Sequence, residues 1–170
     1  MKNLILTFIA LFVLFDTPIA EAQDKRQLLT SVRDWSAYVS TEGNLKTCYM
    51  ISVPRDTAPK NVNRGEIYMM VTHVPSLKRF NEVNVVVGYP FKKGAPASIT
   101  VGRQKFNMFT EGDAAWLSER RQDAAAVEAM KRGNDLVARG TSSRGTNTTD
   151  RYSLMGFTAA HKAITDACKE

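Results

Sequence analysis

Two histidines, His73 and His161, are the side chains best suited to acid–base or metal chemistry in this chain. Hydrolytic catalysis needs a nucleophile, a base and an orienting group, and the sequence contains no Gly-x-Ser-x-Gly motif. Zinc sites usually need three or four ligands, which two distant histidines do not supply. We therefore predict no catalytic residue, no cofactor and no metal site. An enzyme would instead bring His73 or His161 within hydrogen-bond reach of a carboxylate in a deep pocket.

Cys48 and Cys168 are the two cysteines of the chain, and they are not arranged as a Cys-x-x-Cys redox motif. Two cysteines of an exported protein most economically pair with each other, so we predict a structural disulfide. Such a bond would close a loop of about 120 residues and stabilise the fold by at most about 4–5 kcal/mol. The spacing of Phe157, Ala160 and Ile164 with Cys168 predicts a helix that buries the cysteine.

The remaining polar groupings favour structural roles. Glu111 and Asp113 flank a glycine and are typical of a turn. Segment 140–145 has a composition that suits anion contact but lacks the lysine of a P-loop. Arg64-Gly65-Glu66 resembles an integrin-binding tripeptide, but a glutamate occupies the third position, where that motif needs an aspartate. The nearest approach to a nucleic-acid surface is a basic and aromatic group whose two phenylalanines have opposite strand parity, so at least one of them should be core. Because of this parity and of the expected export, we predict no nucleic-acid partner. That group is Arg103, Lys105, Phe106 and Phe109.

The N-terminal residues have the pattern of an export signal. Lys2 precedes an apolar run from Leu4 to Phe15, and Ala20-Glu21-Ala22 has the small-x-small form that a signal peptidase cuts. The run is shorter than the roughly 20 residues that cross a bilayer. We predict that residues 1–22 are a signal peptide and that the mature chain starts near Gln23 without a transmembrane segment. An uncleaved anchor is the alternative.

The remaining residues, 23–170, have a length that suits a single domain with a sizeable core. The whole chain has a net charge of +6, and loss of the signal makes it slightly more positive. A basic surface attracts polyanions such as anionic lipid headgroups or lipopolysaccharide. The basic residues occur as scattered pairs, so solubility alone also explains the charge.

Short apolar runs separated by turn signals predict a mainly β protein. Gly102-Arg103 is typical of a two-residue hairpin turn, because glycine accepts a positive φ at the first position. Helices are expected at Ala124–Arg132, with Asp123 as the N-cap, and from Phe157 to Cys168. The residues of 54–65 indicate an exposed loop, and those of 141–150 a loop or hairpin tip. Many short strands favour a β-sandwich with two short helices, one of them C-terminal. The strands are expected at 35–39, 48–53, 66–74, 82–89, 98–101, 104–109, 135–139 and 152–154.

Several segments, taken in order, resemble the invasion-associated locus B family. The resemblance runs from about Trp35 to Cys168. It implies an exported protein of Gram-negative bacteria with an immunoglobulin-like β-sandwich, from a family linked in some pathogens to invasion of host cells, including erythrocytes. It supplies no catalytic residue, and we interpret Gly112, Asp113 and Trp116 as a turn and a core anchor. The segments are 64–75, 81–83, 88–90, 109–116, 140–146 and 152–160.

We therefore expect a non-enzymatic, periplasmic or outer-membrane-associated virulence protein whose single domain binds an unknown protein or envelope component. Association with the envelope would be peripheral. The segments 60–64 and 141–150 are the first candidates for contact. One alternative is an exported enzyme with an unrecognised site. Another is an electrostatic binder of anionic envelope glycolipid, whose binding would depend steeply on salt.

Overall fold

The computed structural model describes residues 26–169, so the predicted signal peptide, residues 1–22, lies outside the described residues. The described chain is mainly β, with two α-helices, α1 (Arg120–Arg132) and α2 (Phe157–Ala167). The strands are β1 (Gln27–Val32), β2 (Trp35–Glu42), β3 (Leu45–Ser52), β4 (Asp56–Ala58), β5 (Tyr68–Val74), β6 (Arg79–Val86), β7 (Ala97–Val101), β8 (Gln104–Glu111), β9 (Ala114–Leu117), β10 (Asp135–Thr141) and β11 (Asn147–Ser153).

The strands form one antiparallel sheet in the order β1-β2-β3-β5-β6-β9-β8-β7-β10-β11-β4. Strands β2 and β11 lie near opposite ends of that order, yet Trp35 Nε1 on β2 donates a hydrogen bond to Ser153 O on β11, 3.0 Å away. This contact shows that the sheet folds over on itself. Its two halves enclose one hydrophobic core. The expected immunoglobulin-like β-sandwich with two short helices is therefore confirmed, and its layers are parts of a continuous sheet.

Alternation along the strands decides which side chains are buried, because successive residues of a strand point to opposite faces. On β5, Met69, Val71 and His73 point inward and are almost completely buried. Tyr68 and Met70 point outward and are partly exposed. The same alternation on β3 buries Cys48 and Met50 and leaves Tyr49 and Ile51 outward. The sheet therefore has an inner face that the helices cover and an outer face.

Helix α2 lies against the inner face of β1, β2, β3 and β5. Its first residue, Phe157, meets Trp35 edge-on with ring centroids 5.0 Å apart. Gly156 precedes the helix at φ +93°, where a Cβ atom would lie 2.0 Å from Val32 O. Only glycine tolerates both that backbone conformation and that close approach. Gly156 therefore permits the helix to start directly against the end of β1.

Helix α1 differs from its prediction at the N-terminus. It begins at Arg120 rather than at Ala124, and Asp123 lies in its first turn instead of capping it. The carboxylate of Asp123 accepts a hydrogen bond from Val83 N of β6, 3.0 Å away. The predicted end at Gly133 is confirmed. The prediction for the start was wrong because Asp123 accepts its hydrogen bond from Val83 of another element, and local sequence does not reveal such a tertiary partner.

Two further expectations need correction. Trp116 is not a core anchor: it is partly exposed and stacks on Phe109, whereas Trp35 is the fully buried tryptophan. The segments predicted as a loop, 54–65, and as a loop or hairpin tip, 141–150, both contain strand, because β4 pairs with β11 and β11 itself begins at Asn147. The predicted hairpin turn at Gly102-Arg103 is confirmed by the pairing of Val101 with Gln104. Among residues 26–169, no helix has the length and apolarity needed to cross a bilayer.

Candidate functional site

The disulfide expected from the sequence is present between Cys48 on β3 and Cys168 at the end of α2, with Cα atoms 6.0 Å apart. Both cysteines are buried. Lys46, on the same strand, donates a hydrogen bond from its ammonium group to Ala167 O, 2.6 Å away. The C-terminal helix is therefore attached to the sheet by a covalent bond and a neighbouring polar contact.

His73 on β5 and His161 on α2, far apart in sequence, are in contact where the helix packs on the sheet. Their ring centroids are 5.5 Å apart in an edge-on arrangement. Asn81 joins them: its backbone N–H donates to His73 Nδ1 at 3.0 Å, and its Oδ1 lies 2.7 Å from His161 Nε2. His73 Nε2 lies 3.3 Å from Thr165 Oγ1. Asn81 adopts φ +61°, a conformation that asparagine tolerates better than most residues, and this brings its backbone to His73.

These contacts describe a neutral pair. Burial lowers the pKa of His73, and burial together with nearby Lys131 lowers the pKa of His161 to about 4. The recorded hydrogen-bond partners of the rings are an amide, a backbone N–H and a hydroxyl. A histidine base is normally oriented by a carboxylate, and none of the described residues places one in hydrogen-bond contact with either ring. No group of three or more His, Cys, Asp or Glu suited to a metal occurs in 26–169.

A second buried polar group lies among segments that carry the family resemblance. Arg64 donates two hydrogen bonds to Asp150 of β11, at 2.7 and 2.6 Å, and a third to Val87 O. The side chains of the two charged residues are 6% and 1% exposed. Burial opposes the charge of Arg64, but the hydrogen bonds and charge of Asp150 raise its pKa above the ordinary value. Its guanidinium also lies 5.1 Å from the centre of the Tyr89 ring.

Backbone contacts bring three of the other resembling segments, 88–90, 109–116 and 140–146, to this ion pair. Gly65 N donates to Gly88 O, and a Cβ on Gly88 would lie 2.6 Å from Gly65 O. The turn at 112–113 accepts hydrogen bonds from Val87 and Phe91. Segment 140–146 accepts one from Lys92 and donates one to Pro90. These segments therefore meet at one end of the sandwich.

The two segments predicted as contact sites, 60–64 and 141–150, are consequently neighbours. They line a cavity of only about 20 Å³, which has room for little more than one water molecule. Arg64 and Asp150, the last residue of each segment, point inward and pair with each other. The geometry assigns those two side chains to holding the fold, and leaves Arg144 among the exposed residues.

A different surface has the composition of a binding site. We call it the aromatic face and define it as the outward side chains of β2, β3 and β5: Tyr38, Tyr49, Ile51, Tyr68 and Met70. The rings of Tyr38 and Tyr49 stack with centroids 5.4 Å apart. Four of the five residues border a depression of about 600 Å³, and Val53 at its rim is 66% exposed.

The basic and aromatic group considered for nucleic acid does not form one surface. Phe106 packs against the hydrophobic core, whereas Phe109 is 50% exposed on the other side of β8. Alternation along the strand separates them, as their spacing of three residues predicts. Arg103 lies in the β7–β8 turn, away from the ring of Phe109. This arrangement lacks the continuous stacking surface that single-stranded nucleic acid requires.

Comparisons with known proteins agree with this fold. The family model described as "Invasion associated locus B (IalB) protein" matches residues 35–165. The crystal structure of invasion associated protein B from Bartonella henselae is similar, with a TM-score of 0.58 at 16% sequence identity, over 82% of this chain and 96% of that one. A comparison with curated proteins gave no match. Because the family model spans most of the chain, this protein belongs to the invasion-associated locus B family.

Proposed function

We propose that this protein is an exported, non-enzymatic component of the Gram-negative envelope that contributes to host-cell invasion by binding a protein partner through the aromatic face. Membership of the family and the name of the Bartonella relative support the link to invasion. The observation that carries the proposal is the aromatic face itself. Within residues 26–169, both helices lie elsewhere and leave these five outward side chains partly exposed.

Export is supported by two independent features. The first 22 residues have the order of a secretory signal, with a lysine, an apolar run and a small-x-small site. The disulfide between Cys48 and Cys168 suits an oxidising compartment. We propose that residues 23–170 act as one domain after cleavage, in the periplasm or at the outer membrane, in peripheral association with the envelope.

The chemistry of the aromatic face favours a protein as its partner. Tyrosine and methionine are enriched in the centres of protein interfaces, where their apolar area is buried and the tyrosine hydroxyls find partners. Charged residues belong to the rim of such interfaces, and Arg26 and Glu66 border the depression here. This pattern differs from the donor-rich pockets that bind anionic headgroups.

The absence of enzymatic activity is part of the proposal. The histidine pair is the strongest candidate for acid–base chemistry, but its rings are 2% and 7% exposed and engaged with Asn81 and Thr165. A general base must reach the proton that it removes from the substrate. The pair lies between α2 and the sheet, where a substrate would reach it only after movement of the helix.

The test uses a photo-crosslinking residue placed at Ile51 in intact cells, with a second placed at Leu45 as control. Ile51 is on the aromatic face, and Leu45 is 41% exposed at the tip of the β2–β3 hairpin. We expect one defined protein to be captured from Ile51 and not from Leu45. Combined substitution Tyr49→Ser and Tyr68→Ser should abolish this capture and lower invasion, while the protein remains exported at the normal level.

Two outcomes would overturn the proposal. Capture and invasion that are unchanged by the tyrosine substitutions would show that the face is not the contact surface. Envelope binding that is insensitive to the same substitutions but falls steeply between low and high salt would instead support the electrostatic glycolipid alternative.

A further inference from the structure

A second outward surface, separate from the aromatic face, forms a groove beside α1. We call it the Phe109 groove. Phe109 of β8 is half exposed and stacks on Trp116 of β9, with ring centroids 5.6 Å apart and planes inclined by 23°. The groove encloses about 400 Å³ between these rings, β6 and the start of α1. That volume is in the range of small-molecule sites. The stacked rings of Phe109 and Trp116 provide an apolar surface along one side of the groove.

A buried carboxylate lines the same groove. Asp123 is 6% exposed, and its Oδ1 accepts the hydrogen bond from Val83 N. Among the described residues no group donates to its Oδ2, and this oxygen is not one of the fully buried atoms that lack a partner, so it remains accessible from the groove. Burial raises the pKa of Asp123 to about 6, so the carboxylate is ionised at neutral pH and accepts hydrogen bonds only. The site therefore holds an acceptor that is ready for a hydroxyl or N–H group.

The charges around the groove restrict what it accepts. Arg79 and Arg120 provide donors, while Glu82 and Glu119 provide acceptors in addition to Asp123. Arg79 lies 3.7 Å from Glu82, so part of this charge is already compensated. Three carboxylates repel an anion, and two guanidinium groups repel a cation. A neutral ligand that both donates and accepts hydrogen bonds fits this balance.

We propose that the Phe109 groove binds a pyranose ring of a neutral glycan. The ring presents C–H bonds on its face, which carry slight positive charge and pack against the exposed ring of Phe109, which is stacked on Trp116. One hydroxyl donates to Asp123 Oδ2, and neighbouring hydroxyls accept from Arg120. The inference is independent of the aromatic face, since it uses other strands and another ligand. The glycan belongs either to the bacterial cell wall or to a host-cell surface.

The experiment measures binding of two neutral probes to the exported protein by calorimetry and by saturation-transfer NMR. A trimer of N-acetylglucosamine represents cell-wall glycan, and N-acetyllactosamine represents a host-surface glycan. Either probe that binds supports the inference, and the preferred one identifies the source. We expect Phe109→Ala and Asp123→Asn each to weaken binding about ten-fold or more, equivalent to about 1.4 kcal/mol.

The control is Leu28→Ala, which removes a 54% exposed apolar side chain on β1 and should leave binding unchanged. Asn can accept the bond from Val83 N, so Asp123→Asn tests the oxygen that faces the groove with the fold retained. Absence of binding to both neutral probes would overturn the inference. So would binding that Phe109→Ala and Asp123→Asn leave intact, or binding of the polyanion heparin alone. None of these results changes the crosslinking test at Ile51.

Discussion

Two buried polar pairs lie at different places in the sandwich, and they differ in how the loss of hydration on burial is compensated. Arg64 and Asp150 are both charged, and two short hydrogen bonds compensate the loss of water. His73 and His161 have no carboxylate hydrogen-bonded to their rings in the described residues, and burial keeps them neutral. A partner of opposite charge within contact helps a buried group to retain its charge, whereas burial without such a partner shifts its pKa toward the neutral form.

The difference bears on function. The ion pair lies where four of the resembling segments meet, and the histidine pair joins the disulfide-linked helix α2 to β5. Both pairs are turned away from solvent, so the side chains that first suggest chemistry in the sequence stabilise the fold. The surfaces that we propose for binding, the aromatic face and the Phe109 groove, are instead formed mainly by outward side chains.

The largest effect should come from removing one charge of the ion pair. Asp150→Asn leaves the Arg64 guanidinium buried without its counter-charge, and breaking a buried pair in this way costs about 3–5 kcal/mol. Urea unfolding measures the loss. The control is Asp166→Asn on the exposed side of α2, which disrupts solvent-exposed pairs with Lys162 and Lys169 and should change stability far less, because water screens such pairs. Equal losses in the two variants would refute the distinction.

The histidine pair should show itself through pH. The folded-state pKa of each histidine is lowered, so their contribution to stability is complete above pH 6.5 and declines as the pH falls. The folded-state pKa of Asp123 is raised to about 6, so its contribution has the opposite sign and increases as the pH falls below 6. The two effects oppose each other between about pH 4 and pH 6.

Asp123→Asn should therefore remove the opposing effect and reveal the pH dependence of stability that the histidines cause. We expect this variant to lose on the order of 2 kcal/mol of unfolding free energy between pH 7.5 and 4.5, more than the wild-type protein. Adding His161→Gln should remove most of that loss, since glutamine is not titratable. Urea unfolding at the two pH values provides the measurement. A loss of the same size with and without His161 would assign the pH dependence to other groups.

The smallest effect compares two buried tyrosines near the ion pair. Tyr89 Oη lies 2.5 Å from Thr148 Oγ1, whereas Tyr152 Oη is buried and has no hydrogen-bond partner among the described residues. Tyr89→Phe should cost about 1 kcal/mol, because it leaves the threonine hydroxyl without its partner. Tyr152→Phe should be neutral or slightly stabilising. Thermal unfolding of both variants tests this order, and a larger loss at Tyr152 would reverse it.

Much of the fold could be predicted from local sequence. Alternating apolar residues on β3 and β5 indicated strands, Gly102-Arg103 indicated a hairpin turn, and the spacing of Phe157 with Cys168 indicated a helix that buries the sulfur. These predictions succeeded because periodicity of two or 3.6 reflects burial of one face. Strand β4 was missed because its pairing with β11 depends on a partner far away in the sequence.

The candidate sites were less predictable. The contact between His73 and His161, the pairing of Arg64 with Asp150, and the stacking of Phe109 on Trp116 each join residues from different elements. No local spacing signals such contacts. The parity of Phe106 and Phe109 did predict that they point to opposite faces, but not which ring would be exposed or that Trp116 would lie beside it.

The sequence by itself determined the mainly β class, the pairing of the two cysteines and the family, because alternation, cysteine count and ordered segments are properties of the linear chain. Tertiary structure alone decided which charged and aromatic side chains are buried and which face water. Folding the sheet over itself brings β2 against β11 and turns Arg64, Asp150 and both histidines inward. Exposure depends on the packing of distant elements, and for that reason the surfaces proposed to bind emerged only from the folded chain.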